Sequence, residues 1–182
     1  YLETLKKAGV EWLALGIESG NKTVRKDVIK GRFTELKIKD LVTEIQDAGI
    51  NVIGNYIFGL PEDNIETMQE TLDLAKDLNC EFGNFYCSMA YPGSKLYLEA
   101  LKHGHELPET YTGYSQHSYD MRPLDTNHIH ASEVVKFRDA AFLDYHQDPI
   151  YLNMVEEKFG KETSDKMVEM CKHKLKRKLL GD

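Results

Sequence analysis

Three apolar runs mark the first half of the chain, and polar or glycine-rich residues end each of them. The runs are Val10–Ile17, Ile50–Phe58 and Glu81–Met89. Short and nearly continuous apolar runs are typical of strands that are covered on both faces of a parallel sheet. The breaks that follow them are Glu18–Asn21, Gly59–Glu62 and Tyr91–Ser94. Because ligands bind at the carboxyl ends of parallel strands, these breaks are the predicted ligand-binding loops.

Helical patterns separate the apolar runs. The first helix should extend over Lys22–Lys30 and end at Gly31, and the second should begin after the N-cap residue Thr34. Two further helices are predicted at Ile65–Leu78 and Leu96–Lys102. Strands that alternate with helices through short connections form βαβ units around a parallel sheet, so the predicted fold class is α/β.

The pattern changes after Gly104, which divides the chain into residues 1–104 and 105–182. The second part starts with a long loop that is rich in proline, tyrosine, histidine and serine. A helix capped by Ser132 should follow, and then a helical tail. The predicted tail helices are Ile150–Phe159, after an interruption at Pro149, and Ser164–Leu180.

Charge and hydropathy limit the partners of the chain. Its 182 residues carry a formal net charge of -7, which argues against sequence-independent binding to nucleic acid. The basic run Lys172–Lys178 is predicted to be the cationic end of the last helix, where the helix dipole favours positive charge. No apolar stretch is long enough to span a bilayer.

Cysteine and histidine residues offer little metal chemistry. Cys80, Cys87 and Cys171 are odd in number and widely spaced, so they fit neither a disulfide framework nor a CxxC metal site, and the natural compartment is a reducing cytoplasm. His117, His128 and His130 lack the spacing of zinc ligands, and a role in substrate binding or loop packing is expected instead. Arg138, on the otherwise apolar face of its helix, should either pair with an acidic residue of the barrel or tail, or lie at the edge of that face with its stem buried.

Five motifs follow one another in a fixed order along residues 1–104. They are Leu15–Gly20 (LGIESG), Lys30–Gly31, Ala48–Ile50, Phe58–Glu62 (FGLPE) and Tyr91–Ser94 (YPGS). This series resembles the later strands of radical S-adenosylmethionine (radical SAM) enzymes. It is most similar to the subgroup that carries a cobalamin-binding domain ahead of its barrel.

The resemblance implies a fold and a set of cofactors. The fold is the second half of a (β/α)6 barrel, a partial TIM-like barrel with a helical C-terminal tail. In such enzymes a CxxxCxxC loop after the first strand holds a 4Fe–4S cluster, and S-adenosylmethionine binds to the open iron and is cleaved to a radical. The three cysteines here cannot form that loop, so the cluster and any cobalamin domain are expected outside this chain.

The resemblance also assigns site residues. Glu18 and Ser19 end the fourth barrel strand, where polar side chains meet the ribose or the methionyl group of the cofactor. Asn55, Ile57, Gly59 and Glu62 overlie a GxIxGxxE motif that borders the adenine, although Asn55 replaces the first glycine of that motif and Gly54 lies one place early. Tyr91 follows the sixth strand, whose backbone lies against the adenine edge. No residue of this chain is assigned a catalytic role.

Several interpretations remain open from the sequence. Glu18 and Glu62 are also suited to capping helices, and the glycine-proline segments to simple turns. The chain could instead be a piece of another TIM-barrel-like enzyme with Glu18 and Glu62 as acid and base, or a scaffold without catalysis. A chain that begins within a helix and without methionine is expected to be part of a longer oxidoreductase or transferase that acts on a small molecule.

Three further expectations follow from the half-barrel. The isolated chain should be inactive, and its first partner should be the missing N-terminal part of the same protein. An open sheet edge and an exposed inner face should also favour self-association. Within the family, cobalamin-dependent methyl transfer is the first expectation and oxidative cyclisation the next.

Overall fold

The computed structural model describes residues 1–28 and 35–182. Three strands and eight α-helices are found in these residues. The strands are β1 (Trp12–Glu18), β2 (Asn51–Phe58) and β3 (Phe82–Cys87). The helices are α1 (Leu2–Lys7), α2 (Lys22–Val28), α3 (Glu35–Asp47), α4 (Ile65–Leu78), α5 (Lys95–Lys102), α6 (Ala131–His146), α7 (Pro149–Phe159) and α8 (Lys161–Met170). The predicted Lys30–Gly31 motif and the Thr34 cap lie outside the described residues.

The strands form one parallel sheet in the order β1-β2-β3. This order is the one that three consecutive β/α units of a barrel produce, and the predicted α/β class is confirmed. Helices α3, α4 and α6 pack over one face of the sheet, which we call the outer face. None of the helices in the described ranges has both the length and the apolar character that a membrane span needs.

Burial alternates along β2, because successive side chains of a strand point to opposite faces. Val52, Tyr56 and Phe58 lie on the outer face and are completely buried, whereas Ile53 and Ile57 on the other, inner face are only partly covered. The continuous apolar runs predicted burial on both faces. Within this chain that prediction is confirmed only for the outer face. The apolar side chains of the inner face stay partly exposed among the described residues.

Along the edge of β3 that faces away from β2, side chains from the second half of the chain bind backbone groups of the strand. The Gln116 amide donates to the Cys87 carbonyl (3.0 Å) and accepts from the Cys87 N–H (2.9 Å). Arg138 of α6 donates from Nε to the Phe85 carbonyl at 2.7 Å. Three backbone groups of this edge are therefore paired, and β1 forms the other edge of the sheet.

The C-terminal segment departs from the predicted helix Ser164–Leu180. Helix α8 ends at Met170, and a short 3₁₀ turn at Lys178–Leu180 follows a non-helical stretch. The basic run is therefore not a helix end, and that prediction is wrong. The reason is Arg177, whose side chain turns inward and is completely buried. Helix α6 also starts two residues earlier than predicted, with His130 rather than Ser132 as the N-cap.

His146 lies at the end of α6 inside a box of aromatic rings. Its ring lies 4.3 Å from Phe142, 5.1 Å from Tyr145 and 5.2 Å from Tyr151 between centroids, and no solvent reaches it. Nδ1 lies 2.9 Å from the Phe142 carbonyl, while Nε2 is buried without a hydrogen-bond partner among the described residues. Burial lowers the pKa of His146 from 6.5 to about 4.

The buried imidazole makes the fold sensitive to acid. In the unfolded chain His146 binds a proton below its ordinary pKa, whereas in the folded chain it stays neutral until about pH 4. The free energy of unfolding should therefore fall by about 3 kcal/mol between pH 6.5 and pH 4 through this group alone. Urea unfolding at several pH values checks this. In a His146→Leu variant the free energy of unfolding should fall less steeply as the pH decreases from 6.5 to 4. An equal slope in the variant would contradict the assignment.

Candidate functional site

The three loops predicted to bind ligands share one edge of the molecule. They follow β1, β2 and β3, and parallel strands present their carboxyl ends at the same side of a sheet. The loop residues contributed by each strand differ in where their side chains point. Some face the inner side of the sheet and some face the helices.

Glu18 ends β1 in a left-handed backbone conformation with φ of 66°, where a β-bulge interrupts the pairing with β2. Its carboxylate lies over Gly16, since a Cβ added to that glycine would meet Oε1 at 2.6 Å. The side chain is half-buried, and burial raises the pKa of Glu18. None of the side chains that the structure describes, in residues 1–25 and 37–182, donates a hydrogen bond to this carboxylate, so it can accept hydrogen bonds from a ligand.

Ser19 is oriented differently from Glu18. It is completely buried, and its Oγ lies 3.3 Å from Thr71 Oγ1 on α4 and accepts from the Asn21 N–H at 3.2 Å. Thr71 Oγ1 also accepts from the Gly20 N–H at 2.9 Å. These contacts tie the loop after β1 to α4, so Ser19 fixes the position of Glu18. Its predicted contact with a cofactor remains a prediction.

Three register partners cross the inner face of the sheet: Gly16 on β1, Asn55 on β2 and Asn84 on β3. The two asparagines place polar side chains on this face. Asn55 Nδ2 donates to the Leu15 carbonyl (3.1 Å), and Asn84 Nδ2 donates to Asn55 Oδ1 (3.1 Å). Asn55 is thereby held on both sides. Asn84 was not singled out from the sequence, although its alternation within β3 places it on the same face as Asn55.

The turn after β2 is built on Asp63 rather than on Glu62. The Asp63 carboxylate is buried and accepts from the Leu60 N–H (2.9 Å) and from Thr67 Oγ1 (2.7 Å). Burial raises the pKa of Asp63, although these hydrogen bonds act in the opposite direction. The N-cap of α4 is Asn64, whose side chain accepts from the Thr67 N–H. The capping alternative for Glu62 is therefore wrong, because Asn64 caps the helix and Asp63 holds the turn before it.

Glu62 faces the long loop of the second half of the chain. Its Oε1 accepts from Asn127 Nδ2 at 2.6 Å, and its Oε2 lies 3.5 Å from Nε2 of His128. The Asn127 N–H also donates to the Pro61 carbonyl at 2.8 Å. Glu62 thus anchors this loop over the end of β2. His128 has the loop-packing position that was one of the two roles expected for it.

Gly59 is required at its position for two reasons. Its φ is 79°, and a Cβ would lie 2.6 Å from Cγ1 of Val134 on α6. We expect Gly59→Ala to lower the free energy of unfolding by about 3 kcal/mol, from backbone strain and overpacking together. Gly93 is a matched control, since it has φ of 84° and nothing within 4 Å. Gly93→Ala should cost only about 1 kcal/mol, from strain alone.

Denaturant unfolding of both variants measures the difference. The gap between the two glycine substitutions should narrow in a Val134→Ala background, which removes the atoms that a Cβ at residue 59 would meet. Equal costs for Gly59→Ala and Gly93→Ala would show that Val134 does not restrict residue 59.

Tyr91 stands at the end of the loop after β3, with 49% of its surface exposed and its ring 6.2 Å from that of Tyr114. The Ser94 hydroxyl caps α5 by accepting from the Tyr97 N–H. A half-exposed aromatic ring at the ligand edge of the sheet is suited to contact with a flat heterocycle.

The cysteines are unsuited to holding a metal or a cluster. Cys80, Cys87 and Cys171 are all buried, and burial raises the pKa values of Cys80 and Cys87 to about 12, so these thiols stay protonated. No group of three or more histidine, cysteine, aspartate or glutamate side chains in the described part of the chain could bind a metal ion. Any 4Fe–4S cluster therefore depends on ligands other than these cysteines.

The α/β sheet places ligand-accepting groups at its carboxyl edge, and comparison with known proteins shows which family the chain is similar to. Residues 1–75 match the model of the Radical SAM superfamily. The resemblance to radical SAM enzymes is therefore confirmed, whereas the cobalamin-binding subgroup remains a prediction. The matched residues carry β1, β2 and the polar positions Glu18 and Asn55.

Among curated proteins, the chain is 23% identical over 147 residues to an uncharacterized methyltransferase of Pyrococcus horikoshii, covering 81% of the chain and 31% of that protein. It is 27% identical over 114 residues to a cytidylyl-2-hydroxyethylphosphonate methyltransferase of Streptomyces wedmorensis, covering 59% and 21%. The chain thus spans less than a third of these relatives. Among solved structures, the radical SAM enzyme coproporphyrinogen III oxidase (HemN) of Escherichia coli matches with a TM-score of 0.46 and 18% identity, over 62% of the chain and 33% of that enzyme.

Proposed function

We propose that this chain supplies one wall of the S-adenosylmethionine pocket in a radical SAM enzyme. The observation that carries the proposal is the Glu18 carboxylate, which stands half-buried at the carboxyl end of β1 without a hydrogen-bond donor among the described residues. A carboxylate in this setting accepts two hydrogen bonds from a vicinal diol such as that of a ribose. The match of residues 1–75 to the family supports the same assignment.

Other residues of the chain fit the remaining parts of the cofactor. Gly16 leaves space beside Glu18, because any side chain there would overlap the carboxylate. The Asn55–Asn84 pair offers further amide groups on the inner face, and Tyr91 offers an aromatic ring at the mouth. When bound beside a reduced cluster, S-adenosylmethionine supplies radical chemistry, and an enclosed barrel mouth protects such chemistry from water.

For the whole protein we propose methyl transfer with cobalamin, and oxidative cyclisation as the second possibility. Four of the matched proteins carry the name methyltransferase, and one is an anaerobic magnesium-protoporphyrin IX monomethyl ester cyclase of Rubrivivax gelatinosus. We further propose that the chain alone is inactive, because its buried and protonated cysteines cannot hold the cluster. Its partner would then be the N-terminal part of the same protein, in the cytoplasm.

The class is tested by the electron paramagnetic resonance spectrum of the longer protein that contains this chain, after anaerobic reconstitution with iron and sulfide. A reduced 4Fe–4S signal that changes on addition of S-adenosylmethionine, together with formation of 5′-deoxyadenosine, is the expected result. A well-folded protein without a cluster would exclude radical SAM chemistry. It would favour either another barrel enzyme that uses Glu18 and Glu62 or a scaffold without catalysis.

The role of Glu18 is tested in the same protein by Glu18→Gln. Glutamine has nearly the same shape and suffers the same backbone strain at this φ, but it has lost the charged acceptor. The affinity for S-adenosylmethionine should fall by about 10-fold to 100-fold, as expected for hydrogen bonds to a charged group. The control is Glu11→Gln, since Glu11 is exposed and pairs with Lys6 away from the site. Equal affinities in the two variants would remove Glu18 from the pocket.

A further inference from the structure

An open cavity of about 510 Å³ lies between α6 and the segment that follows α8, away from the loops of the proposed cofactor site. Small-molecule sites are typically of this size. Apolar side chains form most of its wall: Phe142, Leu143, Met170, Leu175 and Leu180. Leu175 and Leu180 remain more than one-third exposed, so the wall presents apolar surface that the chain itself does not cover.

A cluster of buried charge lies at the cavity wall. Asp139 accepts hydrogen bonds from Arg138 Nη1 (2.8 Å) and from Arg177 Nη2 and Nε (2.8 and 2.9 Å). The side chains of the two arginines are only 5% and 1% exposed. One carboxylate thus serves two largely buried guanidinium groups, so the side chains of this cluster carry one excess positive charge beside the cavity. Such a charge is costly unless an anion compensates it.

The rim adds further positive charge. Lys136 and Lys174 line the cavity, are exposed, and form no ion pair with any carboxylate of the described residues. The negative side chains of the wall are Asp139 and Asp182, and Asp182 accepts from the Arg177 N–H. Three cationic side chains of the wall therefore face two carboxylates, with Arg177 as a fourth cation behind them.

His117 lies on the same wall, with Nε2 3.4 Å from Nη2 of Arg138. Burial and the nearby Arg138 and Arg177 lower the pKa of His117, so the ring is neutral near pH 7 and adds no charge of its own. Burial is the larger cause of the lowered pKa, and the two arginines add to it. Arg138 Nη2 has no partner other than this imidazole among the described residues, so it is still available to an anionic oxygen.

We infer that this cavity binds an amphipathic monocarboxylate, with its apolar body against Phe142, Leu143 and Leu175 and its carboxylate toward Lys136, Lys174 and Arg138. The apolar wall accounts for the body of the ligand, and the excess of positive charge accounts for its anionic group. The inference does not depend on the proposed function, since none of these residues belongs to the S-adenosylmethionine site.

Octanoate is a suitable probe, and backbone amide shifts of the ¹⁵N-labelled chain report where it binds. We expect saturable shifts at Ala140 and Leu143, with a dissociation constant on the order of 1 mM, as is reasonable for about ten non-hydrogen atoms. Two reference compounds separate the contributions of the ligand. Octan-1-ol has the apolar body without the charge, inorganic phosphate has the charge without the body, and both should bind more weakly.

Three variants locate the site. Ala140→Leu places bulk in the cavity from an exposed position of α6 and should abolish binding. Lys136→Gln combined with Lys174→Gln should weaken octanoate roughly fivefold, as loss of two exposed charges predicts. Lys102→Gln, at an exposed lysine on α5, should leave affinity unchanged. The inference is overturned if octan-1-ol binds as tightly as octanoate, if Ala140→Leu binds like the wild type, or if no saturable shift occurs at the cavity.

Discussion

Replacing Arg177 with methionine should lower the free energy of unfolding by about 4 kcal/mol, the effect of breaking a buried ion pair. Arg177 is completely buried, and its guanidinium bonds Asp139 through two nitrogens and the Gln116 and Ser118 carbonyls through a third. Methionine fills part of the volume but leaves these acceptors without donors. Because Gln116 also closes the edge of β3, the loss should extend from the C-terminal segment to the sheet.

The neighbouring lysine provides a matched control. Lys176 is exposed and forms no ion pair with the described residues, so Lys176→Met should change the free energy of unfolding by less than about 0.5 kcal/mol. Urea unfolding followed by circular dichroism measures both variants. A cost for Arg177→Met as small as that of Lys176→Met would show that the buried cluster does not contribute to stability.

The Arg177 cluster also has a pH dependence of known sign. Burial by itself would raise the pKa of Asp139, but hydrogen bonds and charges from Arg177 and Arg138 outweigh it and hold the pKa below its ordinary value of 3.8. A lowered pKa stabilises the fold above the ordinary value, and this contribution is lost as the pH falls through the folded-state pKa. The Arg177→Met variant should therefore lose part of the acid sensitivity below pH 4.

Glu81→Met should also cost about 4 kcal/mol, for a related reason. The Glu81 side chain has no exposed surface, and it joins three elements just before β3. Oε2 accepts from the Val52 N–H of β2 at 2.7 Å, Oε1 accepts from Gln46 of α3 at 3.1 Å, and Lys158 of α7 pairs with the same oxygen. Methionine leaves the buried Val52 N–H without an acceptor and the Lys158 ammonium without its counter-charge.

Lys158→Met removes the other partner of the Glu81–Lys158 ion pair and serves as the comparison for Glu81→Met. The lysine side chain is 40% exposed, and the Glu81 carboxylate keeps its bonds to Val52 and Gln46 when the lysine is removed. The expected cost is about 1 kcal/mol. Thermal or urea unfolding of the single and double variants gives the coupling energy. If removal of either partner cost the same, the hydrogen bond to Val52 would not be the important contact.

Local patterns in the sequence predicted most of the barrel half. Helix α4 was predicted with both ends correct, because its apolar stripe and its flanking residues indicate the same boundaries. The three strands were placed within about two residues, since apolar runs between breaks are local signals. Glu18 was proposed as a site residue because it belongs to a motif that keeps its order with four others, and its contact with a cofactor remains a prediction.

The tail was harder to predict because its contacts are distant in sequence. Arg177 lies within a basic run and looks like any solvated cation, and its partner Asp139 lies 38 residues away. Gln116 lies in a loop without periodicity, and only the folded chain places it against Cys87. The expected acidic partner of Arg138 does exist, but it is the adjacent Asp139, which local periodicity would place on a different side of the helix.

Because side chains bind the edge of β3, the two edges of the sheet differ in how readily they can pair with a further strand. A further strand pairs more easily at β1, because Gln116 and Arg138 already bind three backbone groups of the other edge, the N–H and C=O of Cys87 and the C=O of Phe85. If two copies joined edge to edge, they would meet β1 to β1 about a twofold axis, and the β3 edges at both ends of the combined six-stranded sheet would carry these side chains. Side chains bound at an edge hinder the addition of further strands, so this arrangement favours a pair of chains over a fibre.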